Sequence, residues 1–463
     1  MNAKLAGVET RVFCDGVAKT FMELTSAVGM EYDAFVRTTG VEHMEGAKTL
    51  WRAMEANGDI YKGVYEGWYS IRDEAFYTES ELVKDEETGK MTAPTGAEVE
   101  WREKEESYFF KLSAYQEPLL SHIESNPNFI LPPSRRNEVV SFLKSGLRDL
   151  SISRTSFTWG IPVPNDPEHV MYVWIDALSN YLTQIGYGKS GSESWREKWP
   201  PKVHVVGKDI LRFHAVYWPA MLMSAGVELP ERIFAHGWWT RNGEKISKSL
   251  GNVIDPFQLV EEYGKDQTRF FLMAESRFGS DADFDDGRMV EKCNAGLANS
   301  YGNLVQRTLS QVYKNCDGKV PKRGELTEAD KEILEKCAGS YEQTREFMDM
   351  QEIHNYVNHL LGLIRDLNVY IDSQEPWKLK KTDVARMETV LNVLVDAIRR
   401  VTIAFQPVMP ESTGKILDQM AVPEEDRMMK DIANDDKVVP EGTSIPKPQG
   451  VFPRIEPPAK VEA

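Results

Sequence analysis

The sequence predicts an α/β layer with a strand-containing insertion, followed by an all-α bundle. Three short apolar runs carry the first part of that prediction: 170–175, 203–207 and 232–237 have the composition of buried parallel strands, and helical patterns separate them. The bundle follows from a change of period after about Asp286, where Met289, Cys293, Leu297, Tyr301 and Leu304 recur at three- and four-residue steps. Leu391, Leu394, Val395 and Ile398 repeat that pattern further on.

In chain order, the stretch to Thr39 mixes a short helical pattern with Asp33-Ala34-Phe35-Val36-Arg37-Thr38-Thr39, whose alternation predicts a buried strand. Residues 63–111 are rich in Gly, Trp, Tyr and acids, with a polar hairpin-like break at 85–89, and read as a compact insertion with strands. From roughly Val422 the text turns to Pro, Asp and Lys, predicting an extended or partly disordered tail.

Composition excludes several classes. With 463 residues, 41% hydrophobic and 27% charged, the chain has the length for about three domains with real cores. No apolar run reaches the ~20 residues needed to cross a bilayer, and the N-terminus has no leader pattern. No membrane partner is expected, and the cytoplasm is the expected location, with the mitochondrial matrix as the alternative. The four cysteines form no Cys-x-x-Cys pair, so free thiols and no metal site are expected, with Cys293 a buried small hydrophobe. A net charge of -17 argues against nonspecific coating of nucleic acid and confines any RNA contact to a local basic surface.

The most informative text is Lys245-Ile246-Ser247-Lys248-Ser249-Leu250-Gly251-Asn252. Two lysines three apart, interleaved with serines in a glycine-bounded loop, suit a polyphosphate, because point charges and hydroxyl donors stabilise charge that builds on transferring phosphates. Standing alone, such a K-x-x-K is more often a solvated turn. Here it follows a strand ending in Ala235-His236-Gly237-Trp238-Trp239 and precedes Asp255-Pro256 and a helical run.

In this context the chain resembles the methionyl-tRNA synthetases, class I aminoacyl-tRNA synthetases whose second ATP motif reads Lys-Met-Ser-Lys-Ser; Ile246 is an apolar swap of similar volume. Matching text includes Gly-Asp-Ile-Tyr from Gly58, Tyr-Glu-Gly-Trp-Tyr-Ser from Tyr65, Ile152-Ser153-Arg154, Val173-Trp174-Ile175-Asp176-Ala177, Gly207-Lys208-Asp209-Ile210, Phe213-His214 and Tyr217-Trp218-Pro219-Ala220. The resemblance implies an incomplete Rossmann-like catalytic domain: a remnant of its first half at 1–45, a connective insertion without zinc at 46–150, its second half at 151–240, and the lysine loop with a stem-contact region at 241–285. It further implies a helical anticodon-binding domain at 286–421 and a tail at 422–463.

The activity implied is ATP-dependent joining of methionine to its tRNA, which carries the anticodon CAU. Trp174, Ala177, Tyr181, Ile210, His214 and Trp218 would line the methionine pocket, a sleeve suited to a thioether that is only a weak acceptor. Leu178 stands where many relatives have proline, and for His214 a packed neutral imidazole and a ligand-facing role both stay open. Arg154 is either a surface ion pair or an ordering contact for the pocket. ATP would be held by Gly207, Asp209, His236, Gly237, Lys245, Ser247 and Lys248, with Lys245 and Lys248 catalytic and Mg2+ arriving on the nucleotide. Asn303 and Arg307, four apart on a helix, and Trp377 beside Lys380 and Lys381 would bind the anticodon. A monomer is expected.

The family's first ATP motif, His-Ile-Gly-His, occurs nowhere in the 463 residues. The expectation is therefore a chain shortened at its N-terminus and impaired in activation, with a noncatalytic tRNA-binding remnant as the alternative.

Overall fold

The structure is a computed structural model that describes residues 2–70, 75–77, 79, 82–84, 89–94, 96–189, 191, 193–247 and 251–456. The chain forms two compact units, one of residues 32–235 and one of residues 1–31 with 236–463.

In the 32–235 unit, helix Val41–Ala56 leads into strand Ile60–Ser70, which pairs antiparallel with Glu100–Phe110 from Ile60 opposite Phe110, with an irregularity between Tyr65 and Gly67. Ala75–Tyr77 and Leu150–Ser151 complete that sheet, so the insertion carries strands as its composition predicts. A two-stranded ribbon pairs Val83–Lys84 with Met91–Thr92; residues 85–88 of the expected hairpin break lie outside the described residues. His204–Gly207, Ile233–His236 and Ile130–Leu131 form a separate sheet in that order, with Ile233 parallel to Ile130.

The run 170–175 departs from its predicted form. Its strand, Asp166–Met171, is antiparallel to Ser153–Arg154 and Pro162–Val163, and the chain turns at Tyr172 into helix Val173–Thr183. A short apolar run satisfies a buried strand end and a buried helix start equally well, and periodicity cannot locate the switch between them. Residues 33–39 form no strand either; they run half-exposed into the N-cap Gly40, with no strand partner among the described residues. The unit's core gathers Leu50, Trp51, Met54, Phe110, Ile175 and Trp218, all fully buried.

In the other unit, Trp239–Arg241, Glu244–Lys245 and Ala282–Phe284 form a small sheet, with helices Pro256–Tyr263 and Lys265–Glu275 between its second and third strands in the chain. Helix Asp286–Cys293 continues through a wider π-helical stretch, Asn294–Gly302, into Asn303–Asn315, and Met289, Cys293, Leu297, Tyr301 and Leu304 all point into the core. Helices Glu328–Asp349 and Ile353–Gln374 surround Val384–Phe405, which is buried on every side from Thr389 to Phe405, as a central helix must be.

The C-terminal segment corrects a second expectation. Residues 424–437 form short 3-10 turns, and Ile432, Val439, Ile445 and Phe452 are buried in the helical core, so the described part of the tail is extended but packed. Arg399 and Arg400, both fully buried, hold it by donating to the carbonyls of Asp431 at 3.0 Å and Ile432 at 2.7 Å. Asn294 exchanges two hydrogen bonds with the backbone of Ile455, at 2.8 and 2.9 Å. Composition predicts no such burial, because the apolar residues are sparse and their cover comes from other parts of the chain.

Candidate functional site

In the 32–235 unit the structure gathers Trp174, Tyr181, Ile210, His214 and Trp218 into one aromatic cluster, with Ala177 on the same helix as Trp174 and Tyr181. Helix Val173–Thr183 presents Trp174, Ala177 and Tyr181, the 3-10 turn Lys208–Ile210 carries Ile210, and a single π-helical turn, Phe213–Tyr217, presents His214 immediately before helix Trp218–Ser224. One-turn π segments re-aim side chains and recur at functional sites. His214 Nδ1 donates to the Ile210 carbonyl at 2.9 Å, which leaves Nε2 to accept from the Tyr181 hydroxyl at 2.8 Å. The tyrosine's one proton is thereby committed, and the rest of the cluster is made of ring faces and edges. Trp174 stacks on Phe213 at 3.8 Å and 12°, and Phe213 belongs to the cluster although sequence reasoning did not list it. Leu178 turns away into the hydrophobic core.

Arg154 is not a surface ion pair. It is buried, donates to Ser151 Oγ at 2.9 Å and to the Ser153 carbonyl at 2.7 Å, and lies over the Tyr172 ring, two residues before Trp174. His43 braces the other side of the same helix: one ring nitrogen lies 2.8 Å from Asp176 and the other 2.8 Å from the Thr183 hydroxyl. Its spacing to the helix gave no sequence signal, since the partners lie far along the chain.

His204 also escaped sequence reasoning. It is buried, its ring centroid 4.1 Å from that of Tyr181, and burial, with a smaller effect from His214, pushes its pKa down to about 3. Burial lowers His214 as well, against a smaller raising effect from its bond to Ile210. Both rings are therefore neutral near pH 7. Methionine affinity is expected to stay flat between about pH 8 and about pH 6, where an ordinary histidine would titrate. Calorimetry across that range checks it, and a step near pH 6.5 would place a titrating imidazole in the pocket. Stability follows the unfolded state: above about pH 6.5 neither form is protonated, and below it the unfolded histidines take up protons that the folded ones refuse, so stability falls as pH drops.

Gly207 ends strand His204–Gly207, and Asp209 stands exposed in the 3-10 turn Lys208–Ile210 that follows, at the carboxyl end of the strand. That position is where open α/β sheets bind ligands.

The lysine loop belongs to the other unit. Asn242 and Gly243, both with positive φ, make the two-residue hairpin turn that sets Glu244–Lys245 against Trp239–Arg241, an Asn-Gly signal present in the sequence. Lys245 is exposed with its ammonium 4.2 Å from the Trp238 ring centroid. Asn252 fastens the loop's base from both sides, accepting from Ser247 N at 2.8 Å and donating to the Lys245 carbonyl at 3.2 Å. Lys248 and Ser249 lie outside the described residues. Gly237 has no room for a side chain, because a Cβ there would sit 2.2 Å from the Ser280 backbone. His236 stacks on Phe278, its Nδ1 2.8 Å from the Gly237 carbonyl.

On the helical elements of this unit, Arg307 and Trp377 come together: the guanidinium lies 5.3 Å from the Trp377 ring centroid and pairs with Asp372 at 2.6 Å. Both line a groove of about 240 Å³. Asn303 lines a neighbouring groove of about 450 Å³. Lys380 and Lys381 are exposed at the end of the short helix that carries Trp377. Among the described residues no three His, Cys, Asp or Glu side chains converge on a metal position, all four cysteines are free thiols, and no helix is long and apolar enough to cross a membrane.

Residues 1–309 match the family model for class I tRNA synthetases of the methionine type, and residues 320–462 match the anticodon-binding domain of methionyl tRNA ligase. A methionine–tRNA ligase of Brucella suis is 51% identical over 453 residues, 98% of this chain and 87% of that protein. One from Mycobacterium bovis is 48% identical over 464 residues, 99% of this chain and 88% of the relative. A solved structure of Mycobacterium tuberculosis methionyl-tRNA synthetase in complex with methionyl-adenylate superimposes with a TM-score of 0.93 at 47% identity, covering 98% of this chain and 89% of that one. Matches that run through nearly all of this chain give no support to the expectation of a shortened, impaired enzyme.

Proposed function

Because the chain belongs to the methionyl-tRNA synthetases, enzymes that ligate methionine to tRNA with ATP, we propose the following division of labour among its residues. The sleeve of Trp174, Ala177, Tyr181, Ile210, His214 and Trp218 takes the methionine side chain, and the observation that carries this reading is the Ile210–His214–Tyr181 chain of hydrogen bonds inside an aromatic cluster. Gly207 lets a nucleotide approach the backbone and Asp209 accepts from its ribose hydroxyls. His236 and Gly237 serve the same nucleotide, and Lys245, Ser247 and Lys248 serve its phosphates.

Activation requires methionine's carboxylate to attack the α-phosphorus of ATP, forming the acyl–phosphate bond as the bond to pyrophosphate breaks. Lys245 and Lys248 stabilise the charge that gathers on the departing pyrophosphate, so they contribute more to the transition state than to the ground state. Magnesium is held chiefly by the phosphates themselves. In the second step a terminal ribose hydroxyl of tRNA attacks the adenylate's carbonyl and AMP leaves. Asn303 and Arg307 present an amide and a guanidinium to the unstacked bases of the CAU anticodon, and Trp377 offers a stacking surface beside Lys380 and Lys381. We take the protein to act as a monomer, without zinc, in the cytoplasm.

Methionine-dependent exchange of labelled pyrophosphate into ATP tests this division of labour. Exchange that falls by ~10²–10³ in Lys248→Ala, the typical cost of losing one preorganised group aimed at developing charge, supports the ligase. Exchange left unchanged in Lys248→Ala would overturn the role given to that lysine.

A further inference from the structure

The turn between helix Lys265–Glu275 and strand Ala282–Phe284 lies along the segment that carries His236 and Gly237. Trp238 N donates to Asp281 Oδ1 at 2.9 Å, Ala282 N donates to the Trp238 carbonyl at 2.9 Å, and Trp239 then pairs in parallel with Ala282. The Phe278 ring stacks on His236, with centroids 6.1 Å apart and planes 16° from parallel. The fit is close, because the Ser280 backbone fills the space that a Cβ on Gly237 would need. Where this turn sits therefore fixes where His236 and Gly237 sit.

One side chain from the helical elements reaches the turn. His354, in the first turn of helix Ile353–Gln374, has its Nδ1 3.2 Å from the backbone nitrogen of Phe278. A backbone N–H only donates, so Nδ1 is the acceptor, and an imidazole accepts only while it is neutral with its proton on Nε2. A protonated ring carries N–H on both nitrogens and would set donor against donor. The surroundings favour the neutral ring: burial lowers the His354 pKa most, Glu352 at the helix N-cap opposes it, and Arg277 of the turn adds to the lowering. The positive end of the helix dipole acts in the same direction as burial.

We infer that His354 is a positioning residue for the nucleotide: its Nδ1 holds the 276–281 turn and, through the Phe278 ring, holds His236, and it does so only as a neutral imidazole. His236 Nδ1 donates to the Gly237 carbonyl, which makes Nε2 the acceptor of its neutral ring, so the placement of that ring decides where an acceptor meets the nucleotide. The inference rests on the reading of His236 and Gly237 as nucleotide contacts and goes beyond it in naming the residue that holds them and the protonation state it needs.

The test is calorimetric titration of the full chain with magnesium ATP in the absence of methionine. At about pH 7.5, His354→Ala should weaken ATP binding about three- to tenfold, the range that one hydrogen bond spans. His354→Asn, whose Oδ1 accepts in place of Nδ1 and does not titrate, should stay within about twofold of wild type. Between about pH 7.5 and about pH 5.5 the wild type should lose at least about twofold against His354→Asn, a comparison in which His236 and the ATP phosphates are shared and cancel. Because His354 acts through His236, His236→Ala should also weaken ATP binding, and adding His354→Ala to it should cost little more. Methionine affinity should be the same in all of these variants, since the sleeve belongs to the 32–235 unit. Unchanged ATP affinity in His354→Ala, with His236→Ala weakened, would overturn the positioning role and leave the nucleotide reading standing, and full additivity of the two changes would do the same. His354→Asn as weak as His354→Ala, or a constant ratio to wild type across pH, would overturn the need for a neutral acceptor. Unchanged affinity in His236→Ala, or a wild type that binds no ATP, would overturn the nucleotide reading and the inference with it.

Discussion

Trp218→Ala is expected to destabilise the 32–235 unit by about 3–5 kcal/mol, the usual cost of cutting a large buried aromatic to a methyl group, and to abolish measurable methionine binding. Trp218 is fully buried, with its ring 6.2 Å from both Tyr181 and Trp199. Two losses coincide. The cavity costs packing around the core cluster, and Tyr181 loses the wall that keeps its hydroxyl on His214. Trp218→Phe removes less volume and should give a smaller loss of stability with weakened but detectable binding. Urea unfolding followed by aromatic circular dichroism, together with calorimetry, reads both effects. An unchanged urea midpoint in Trp218→Ala would show that the side chain is not the core element described.

Asp396→Ala should cost a similar ~3–5 kcal/mol in the other unit, for a different reason. Asp396 is fully buried and accepts from Arg399 at 2.9 Å, Arg400 at 3.2 Å and Arg323 at 3.1 Å. Burial opposes its ionisation, yet Arg400 and Arg399 hold the carboxyl below its usual range. Removing it leaves two buried guanidinium groups with their central counter-charge gone, although Arg400 keeps Asp435 at 2.6 Å. Those same arginines hold residues 431 and 432, so the C-terminal segment should loosen as well, visible as faster amide exchange. The sign with pH follows from the lowered pKa: the contribution is full above the ordinary aspartate value and is lost as pH falls through the folded one. Asp372→Ala provides the contrast, because its pair with Arg307 is largely solvent-exposed and such pairs contribute about 0–1 kcal/mol. Equal effects from Asp372→Ala and Asp396→Ala would contradict this account of the network.

How much was legible beforehand varies with the range of the interaction. The helical faces around Met289 and Leu391 are local periodicities, and both face the core as expected. The lysine loop carries its signal in a few consecutive residues; the Asn242-Gly243 turn beside it is equally local, but sequence reasoning passed over it. Long-range partners left no trace. His43 meets Asp176 and Thr183, and Asn294 meets Ile455, across separations that no periodicity encodes. Tyr172, where an apolar run changes from strand to helix, looks in sequence like any residue of a buried strand. Burial of the C-terminal segment depends on Arg399 and Arg400, whose charges alone point to a solvated helix face. His204 and His354 are likewise ordinary in sequence, and their neighbours alone distinguish them.

The claim on which the rest depends is that the cluster around Tyr181 and His214 is a pocket built for an unbranched, polarizable side chain. Calorimetric titration of the full chain with methionine, leucine and glutamine tests it most directly, because all three share the same ammonium and carboxylate and differ only in what enters the sleeve. The account predicts that methionine binds at least about tenfold more tightly than either, since leucine branches against Trp174 and Trp218 while glutamine must strip water from a carboxamide to enter a cluster made mostly of ring faces. Leucine binding as tightly as methionine would contradict it.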